Sequence, residues 1–203
     1  SGLAKVRHYA PTTGVELLKT CPISRAQADQ RKGRAGRERS GKCWRLYTEP
    51  SFEHMEAMTV PEIQRVDLAQ VVLQLKMAGI RAVESFEFLA PPSRELLKKA
   101  FQTLLSLQAL DKKGDVTEHG RRMSLLPLSP IWAHTVLVSK DFGCSADTIT
   151  AAALLSVESV FMVPGGDEAR AAANAARRSF TVAEGDLPTL VALYAAWSEA
   201  MKG

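Results

Sequence analysis

One amide and two guanidinium side chains recur at a spacing that would bring them together on a helix. Gln30, Arg34 and Arg37 are separated by four and then three residues. At about 100° per residue, they fall within a stripe roughly 60° wide. A guanidinium is a planar fork of donors that matches the oxygens of a phosphate. The spacing therefore predicts a face that binds a polyanion such as a nucleotide triphosphate.

Two glycines and one polar pair define the segment that would carry these side chains. Gly33 lies at the edge of the predicted stripe, where a missing side chain would let a ligand approach the backbone. Gly33 and Gly36 each cost a helix about 1 kcal/mol relative to Ala, so helicity alone does not explain them. Ser24 followed by Gln27 fits a capping box, which predicts that the helix starts there. A solvated basic helix is the alternative interpretation of any arginine cluster.

The charge of the chain is concentrated at one end. The first 47 of the 203 residues carry eleven basic and three acidic side chains, a formal balance of +8, whereas the remainder carries −4. Anion binding is therefore predicted for the N-terminal quarter. The length allows one large domain or two small ones.

Several function classes lack their sequence signals. No apolar run reaches the roughly 18 residues that span a membrane, and no secretory signal opens the chain. The three cysteines are far apart and form no C-x-x-C, which predicts a reducing compartment and no metal site. Neither a G-x-x-x-x-G-K-[ST] phosphate loop nor an Asp-Glu-x-His box occurs.

The first region combines strands with the arginine-bearing helix. Residues 3–9 and 15–20 are predicted to form a hairpin around the turn at residues 11–14. Alternating side chains predict a further strand over residues 41–47. Because an isolated hairpin is marginal in water, it should pack on a sheet. The chain also begins in the middle of an element, so we expect residue 1 to lie inside a larger domain.

The remaining regions are mainly helical. Residues 61–78 and 94–107 are predicted helices, residues 85–89 a short strand, and residues 109–117 a small hairpin, an order typical of a winged helix. The second helix should bury Leu97, Ala100, Phe101, Leu104 and Leu105. Further helices are predicted over residues 117–123, 131–140, 146–157, 168–178 and 190–201. The last of these offers Leu193, Tyr194 and Trp197 for burial.

The segment Q-R-K-G-R-A-G-R, residues 30–37, resembles motif VI of the DEAH-box RNA helicase family of superfamily 2 at every defined position. The similarity extends to segments along essentially the whole chain, namely residues 22–24, 40–48, 59–65, 73–76, 79–80, 86–88, 91–92, 110–111, 125–128 and 184–186. One departure is visible, because Leu187-Pro188 stands where the family usually has His-Leu, which puts a His contact there in doubt.

The resemblance implies a mostly α-helical fold with small β parts. Residues 1–58 would be the C-terminal part of the second RecA-like domain, comprising the β-hairpin, the motif VI helix and a strand. The hairpin would project towards the nucleic acid. Residues 59–126 would form the winged-helix domain, and residues 127–203 an incomplete ratchet bundle associated with the helicase.

The resemblance also implies an activity for the longer protein. It would be an ATP-dependent RNA helicase that remodels RNA or ribonucleoprotein complexes, using ATP and Mg²⁺. Arg34 and Arg37 would act as arginine fingers. Gln30 would orient the attacking water or touch the γ-phosphate, and Gly33 would lie against the nucleotide. This chain alone is expected to hold no cofactor tightly and to be inactive.

Further implications concern partners and location. RNA would be the main partner, although no individual RNA-binding residue can be assigned, and the ratchet region would hold one side of the RNA channel. A glycine-patch activator protein would dock on the winged-helix side. We expect a monomer in the nucleus that contacts no membrane, with mRNA splicing as a common role in the family.

Two other classes of function stay open at this point. One is a winged-helix regulator that reads duplex DNA, with Arg34 and Arg37 merely touching phosphates. Its reading helix would offer four side chains to the major groove, namely Arg94, Lys98, Lys99 and Gln102. The other is a scaffold that acts only through protein–protein contacts.

Overall fold

The computed structural model describes residues 1–157 and 159–202 of the chain. Helices dominate this part, with one small sheet. The strands and α-helices are β1 Leu3–Ala10, β2 Val15–Pro22, α1 Arg25–Lys32, α2 Glu49–Glu53, α3 Ala69–Met77, α4 Arg94–Ser106, α5 Glu118–Ser124, α6 Pro130–Val138, α7 Ser145–Ser156, α8 Asp167–Arg178 and α9 Asp186–Ala200. Within the described residues, no helix is both long enough and apolar enough to cross a bilayer.

The chain divides into two compact units. The first holds residues 1–106 together with 112–115, and the second holds residues 107–111 and continues from Val116. Both units together make a fold that is mostly α-helical with small β parts, as the sequence predicts.

The hairpin is formed as predicted. β1 and β2 pair antiparallel in a register that runs from Leu3 opposite Pro22 to Ala10 opposite Val15, and a turn joins them. β2 is almost entirely exposed, whereas Tyr9 of β1 is only 7% exposed. The hairpin is thus anchored mainly through one strand.

Two predicted strands are absent. Residues 41–47 have irregular backbone. Of residues 85–89, the first ends a short 3₁₀ turn, Val83–Ser85, and the others follow it without pairing. A strand needs a hydrogen-bonded neighbour, and the sheet in the described residues has only two strands. In the second segment a local bond replaces pairing, since the Phe88 N–H donates to the Phe86 carbonyl over 2.9 Å.

The predicted helix over residues 61–78 is broken. Pro61 leads into a short 3₁₀ turn, Glu62–Gln64, and α3 begins only at Ala69. Arg65 interrupts the helix with φ −141°, because its backbone and side chain bind the hairpin instead. Tertiary contacts here override the periodicity of the sequence.

The helix α4 provides the core of the first unit together with α3, against which it packs. Ser93 caps it as predicted, with its hydroxyl accepting from the Leu96 N–H over 3.2 Å. The buried stripe consists of Leu96, Leu97, Ala100 and Leu104. Leu105, which was expected in this stripe, is 42% exposed.

The second unit is a run of packed helices. α5 packs on α6, α6 on α7 and α7 on α9. The predicted hairpin over residues 109–117 is reduced to a single bridge between Leu110 and Val116. In α9 the buried side chain is Leu190, whereas Tyr194 and Trp197 are 43% and 57% exposed. The prediction that they are buried was therefore wrong.

A histidine pair joins α5 to α6. His119 Nε2 lies 2.9 Å from His134 Nδ1, so one ring donates to the other. Burial, followed by the positive charges of His134 and Arg122, lowers the pKa of His119 below its ordinary value of 6.5. The folded unit therefore favours neutral His119.

This shift predicts that acid destabilises the fold. Between pH 6.5 and the lowered pKa, the unfolded chain binds the His119 proton more readily than the folded one, so the free energy of unfolding falls as the pH falls. Urea titrations at about pH 7.5 and about pH 5 should show the loss. The loss of unfolding free energy between these two pH values should be smaller in His119→Asn and unchanged in the control His8→Asn. An equal loss in wild type and His119→Asn would contradict this assignment.

Candidate functional site

The arginine-bearing segment starts at the predicted capping box. The Gln27 N–H donates to Ser24 Oγ over 3.1 Å, and the Ser24 N–H donates to Gln27 Oε1 over 3.1 Å. Ser24 is only 4% exposed, and Ala28 anchors the same helix in the interior. The start and the inward face of α1 are therefore fixed.

The far end of the segment differs from the predicted continuous helix. The α-helix ends at Lys32, and residues Gly33–Gly36 form a 3₁₀ turn. In a 3₁₀ turn, residues three apart eclipse each other, so Arg34 and Arg37 still share a face. Around the helix axis, Gln30 lies about 60° from the direction that Arg34 and Arg37 share, whereas a continuous α-helix would place it between them.

The face that these residues form is open. Gln30, Gly33, Arg34 and Arg37 are all exposed. Within the part of the chain that the structure describes, the side chains of Gln30, Arg34 and Arg37 make no hydrogen bond, ion pair or ring contact. Two unpaired guanidiniums on one face suit a phosphate, which accepts parallel N–H donors.

Two neighbouring arginines, by contrast, form bonds in the structure. Arg31 donates to the carbonyl oxygens of Ser1 and Leu3 at 3.0 and 3.3 Å, and so ties α1 to the start of β1. Arg45 forms a 2.7 Å ion pair with Asp29. Both are partly exposed, so the pair adds at most about 1 kcal/mol of stability. Arg31 and Arg45 thus stabilise the segment around α1 and do not contribute to the open face.

A returning loop supports the 3₁₀ turn. Gly41 packs so closely on it that a Cβ there would overlap the Ala35 carbonyl oxygen. Beside this contact is a cavity of about 400 Å³, lined by Asp29, Lys32, Gly33, Gly36, Gly41 and Cys43. The loop therefore fixes the backbone that carries the two arginines.

The same loop nearly matches a phosphate-loop pattern. Residues 36–43 read G-R-E-R-S-G-K-C, with Cys43 in place of the final Ser or Thr. A phosphate loop joins a strand to a helix, whose N-terminal N–H groups bind the anion. Here a 3₁₀ turn precedes the loop, and irregular backbone follows Cys43 until α2. The loop thus lacks the architecture of a phosphate loop.

Sequence patterns missed the residues that hold the N-terminus of α1. Ser24 Oγ lies 2.9 Å from Thr59 Oγ1. The Arg25 N–H donates to the Glu56 carbonyl over 2.8 Å, and the Ala26 N–H donates to the Ala57 carbonyl over 3.1 Å. These bonds satisfy N–H groups that a helix start leaves without partners. No local signal reveals them, since the partners lie more than 30 residues apart.

Comparison with known proteins identifies two adjoining domains. Residues 100–128 match the winged-helix type of the helicase associated domain (HA2), and residues 129–190 match its ratchet-like type.

Curated relatives match nearly the whole chain. The probable ATP-dependent RNA helicase DHX35 of Homo sapiens is 43% identical over 197 residues, which is 97% of this chain and 28% of that protein. The ATP-dependent RNA helicase DHX33 of Mus musculus is 43% identical over 197 residues, which is 96% of this chain and 28% of that protein. The chain thus spans a little over a quarter of the length of these relatives.

The contact at Gly41 predicts a difference between two glycines of the site. Gly41→Ala should lower the free energy of unfolding by about 1–3 kcal/mol, because the added carbon overlaps backbone that cannot move aside. Gly36→Ala is the control, since a Cβ there meets nothing within 4 Å. It should leave the free energy unchanged or raise it by up to about 1 kcal/mol. Urea titration measures both, and equal values would contradict the packing described here.

Proposed function

This chain belongs to the DEAH-box RNA helicase family, and from that premise we propose that it forms the C-terminal part of an ATP-dependent RNA helicase. Residues 1–58 would complete the second RecA-like domain, residues 59–126 the winged helix, and residues 127–203 the ratchet domain. Support comes from the two helicase-associated domains and from the relatives that match along the chain.

Arg34 and Arg37 are the proposed arginine fingers. The observation that carries this proposal is their shared, exposed face, on which neither guanidinium has a partner among the described residues. Two cations on one face would stabilise the negative charge that develops on the terminal phosphoryl group during transfer. Because α1 is capped and its C-terminal turn packs against Gly41, the backbone that carries the two arginines would need little reorganisation.

Gln30 and Gly33 would complete the chain's side of the nucleotide site. The Gln30 amide can both donate and accept, so it could orient the attacking water. Gly33 leaves backbone accessible to the nucleotide. ATP with Mg²⁺ would supply the phosphoryl group and neutralise part of its charge. The phosphate loop and the carboxylate that hold them would come from other parts of the protein.

RNA is the proposed substrate. The balance of +8 over the first 47 residues attracts a polyanion, and the ratchet region would form one wall of the RNA channel. We further propose a monomeric nuclear protein that remodels ribonucleoprotein complexes, as in splicing, with a glycine-patch activator on the winged-helix side. These finer assignments rest on family resemblance.

Removing a finger should affect chemistry more than binding. In the longer protein that contains this chain, Arg34→Ala and Arg37→Ala should each lower the kcat of RNA-stimulated ATP hydrolysis by about 10³-fold or more. KM for ATP should change by less than about tenfold, because the contact is strongest in the transition state. Arg39→Ala, another exposed arginine nearby, is the matched control. Losses of less than about tenfold at both positions would contradict the proposal.

The chain alone should be catalytically silent. We expect the purified 203-residue chain to release no phosphate from ATP above background, with or without RNA, because it has no phosphate loop to hold the nucleotide. A phosphate-release assay checks this, with the Arg37→Ala chain as the control. Turnover that disappears in the Arg37→Ala chain would show that this chain holds a complete site.

A further inference from the structure

One segment of the first unit touches both α1 and the hairpin. We call residues 56–65 the strap. At one end of the strap, Glu56, Ala57 and Thr59 hold the N-terminus of α1, through the three bonds described above. The proposed arginine fingers are carried at the opposite end of this short helical segment. Any shift of α1 would therefore strain the three hydrogen bonds that join its N-terminus to the strap.

Arg65, at the other end of the strap, binds the hairpin twice. Its Nη1 donates to the Arg7 carbonyl over 2.9 Å, and its own carbonyl accepts from the Tyr9 N–H over 2.7 Å. Its Nε also donates to the Val60 carbonyl over 3.4 Å, within the strap itself. The half-buried guanidinium thus joins strap and β1 through backbone atoms, independently of the hairpin's side chains.

The hairpin is also seated against α4. Tyr9 is 7% exposed, and Gly14 in the turn faces the Lys99 side chain. A Cβ at Gly14 would lie 3.7 Å from Lys99 Cε and 3.9 Å from the Tyr9 hydroxyl. The turn of the hairpin therefore lies close to the Lys99 side chain of α4.

We propose that Arg65 is a positioning residue that couples the nucleotide-dependent movement of α1 to the β1–β2 hairpin. This inference rests on the proposed helicase function. Coupling needs a contiguous set of contacts that moves as one body. The strap supplies it, because Pro61 fixes one backbone angle, the 3₁₀ turn Glu62–Gln64 stiffens its middle, and a charged donor at Arg65 makes a stronger bond than a neutral one.

Gln64 offers a matched control next to Arg65. Gln64 is the last residue of the 3₁₀ turn that precedes Arg65. Its Nε2 donates to the Pro91 carbonyl over 2.9 Å and does not reach the hairpin. Removing the Gln64 amide therefore loosens the strap without touching β1. A role of Arg65 in coupling predicts that the two substitutions differ, whereas a role in general stability predicts that they behave alike.

The test compares Arg65→Ala, Arg65→Lys and Gln64→Ala in the longer protein that contains this chain. RNA-stimulated ATP hydrolysis and RNA duplex unwinding are measured in the same reaction, and thermal unfolding is recorded for each variant. Arg65→Ala should keep the kcat of ATP hydrolysis within about twofold but unwind at least about fivefold fewer base pairs per ATP. Arg65→Lys should recover part of the number of base pairs unwound per ATP, since an ammonium can bond to one of the two carbonyls that the guanidinium binds. Gln64→Ala should leave the ratio unchanged.

Two results would overturn the inference and leave the proposed function intact. One is a wild-type ratio in Arg65→Ala. The other is a parallel loss of hydrolysis, unwinding and thermal stability in both alanine variants, which would show a purely structural role. A wild-type protein that hydrolyses no ATP would instead overturn the proposed function, and the coupling with it. The three failures are therefore distinguishable.

Discussion

The buried N-terminus of α1 is the constraint on which the site depends. Ser24 satisfies the first turn of the helix through its capping box, and it also bonds to Thr59. The next two N–H groups donate to backbone carbonyls of the strap. A helix start buried without such partners would be costly. Because every donor there is engaged, the direction of α1 is set by contacts within the first unit.

A change of helical type at the other end of α1 sets the directions of the side chains in the candidate site. From Gly33 onward the backbone tightens into a 3₁₀ turn, which aligns residues three apart. Arg34 and Arg37 are thereby placed on one line, more nearly parallel than in an α-helix. The glycines at both ends of the turn present no side chain beside them, and Gly41 braces the turn from behind. The two exposed arginines are thus carried by a turn that Gly41 contacts from one side.

How much the sequence could predict depends on how local each cause is. The capping box, the hairpin, α4 and the set of exposed arginines were predictable, because the residues that determine them are neighbours in the chain or share one helical face. The strands expected at residues 41–47 and 85–89 were wrong, since pairing requires a partner strand that periodicity cannot supply. The break in the helix expected over residues 61–78 and the bond between Ser24 and Thr59 depend on contacts between distant parts of the chain. The motif VI resemblance predicted residues 30–37 as the candidate site but did not indicate the 3₁₀ turn.

We propose that Arg34 and Arg37 together meet the terminal phosphate of a nucleotide. The most direct measurement is a structure of the longer protein bound to ADP and a planar aluminium fluoride, which mimics the phosphoryl group in transfer. If they do, both guanidiniums should lie within about 3 Å of the fluoride or β-phosphate oxygen atoms. Guanidiniums turned away from the nucleotide, or paired with carboxylates while the mimic is bound, would contradict it.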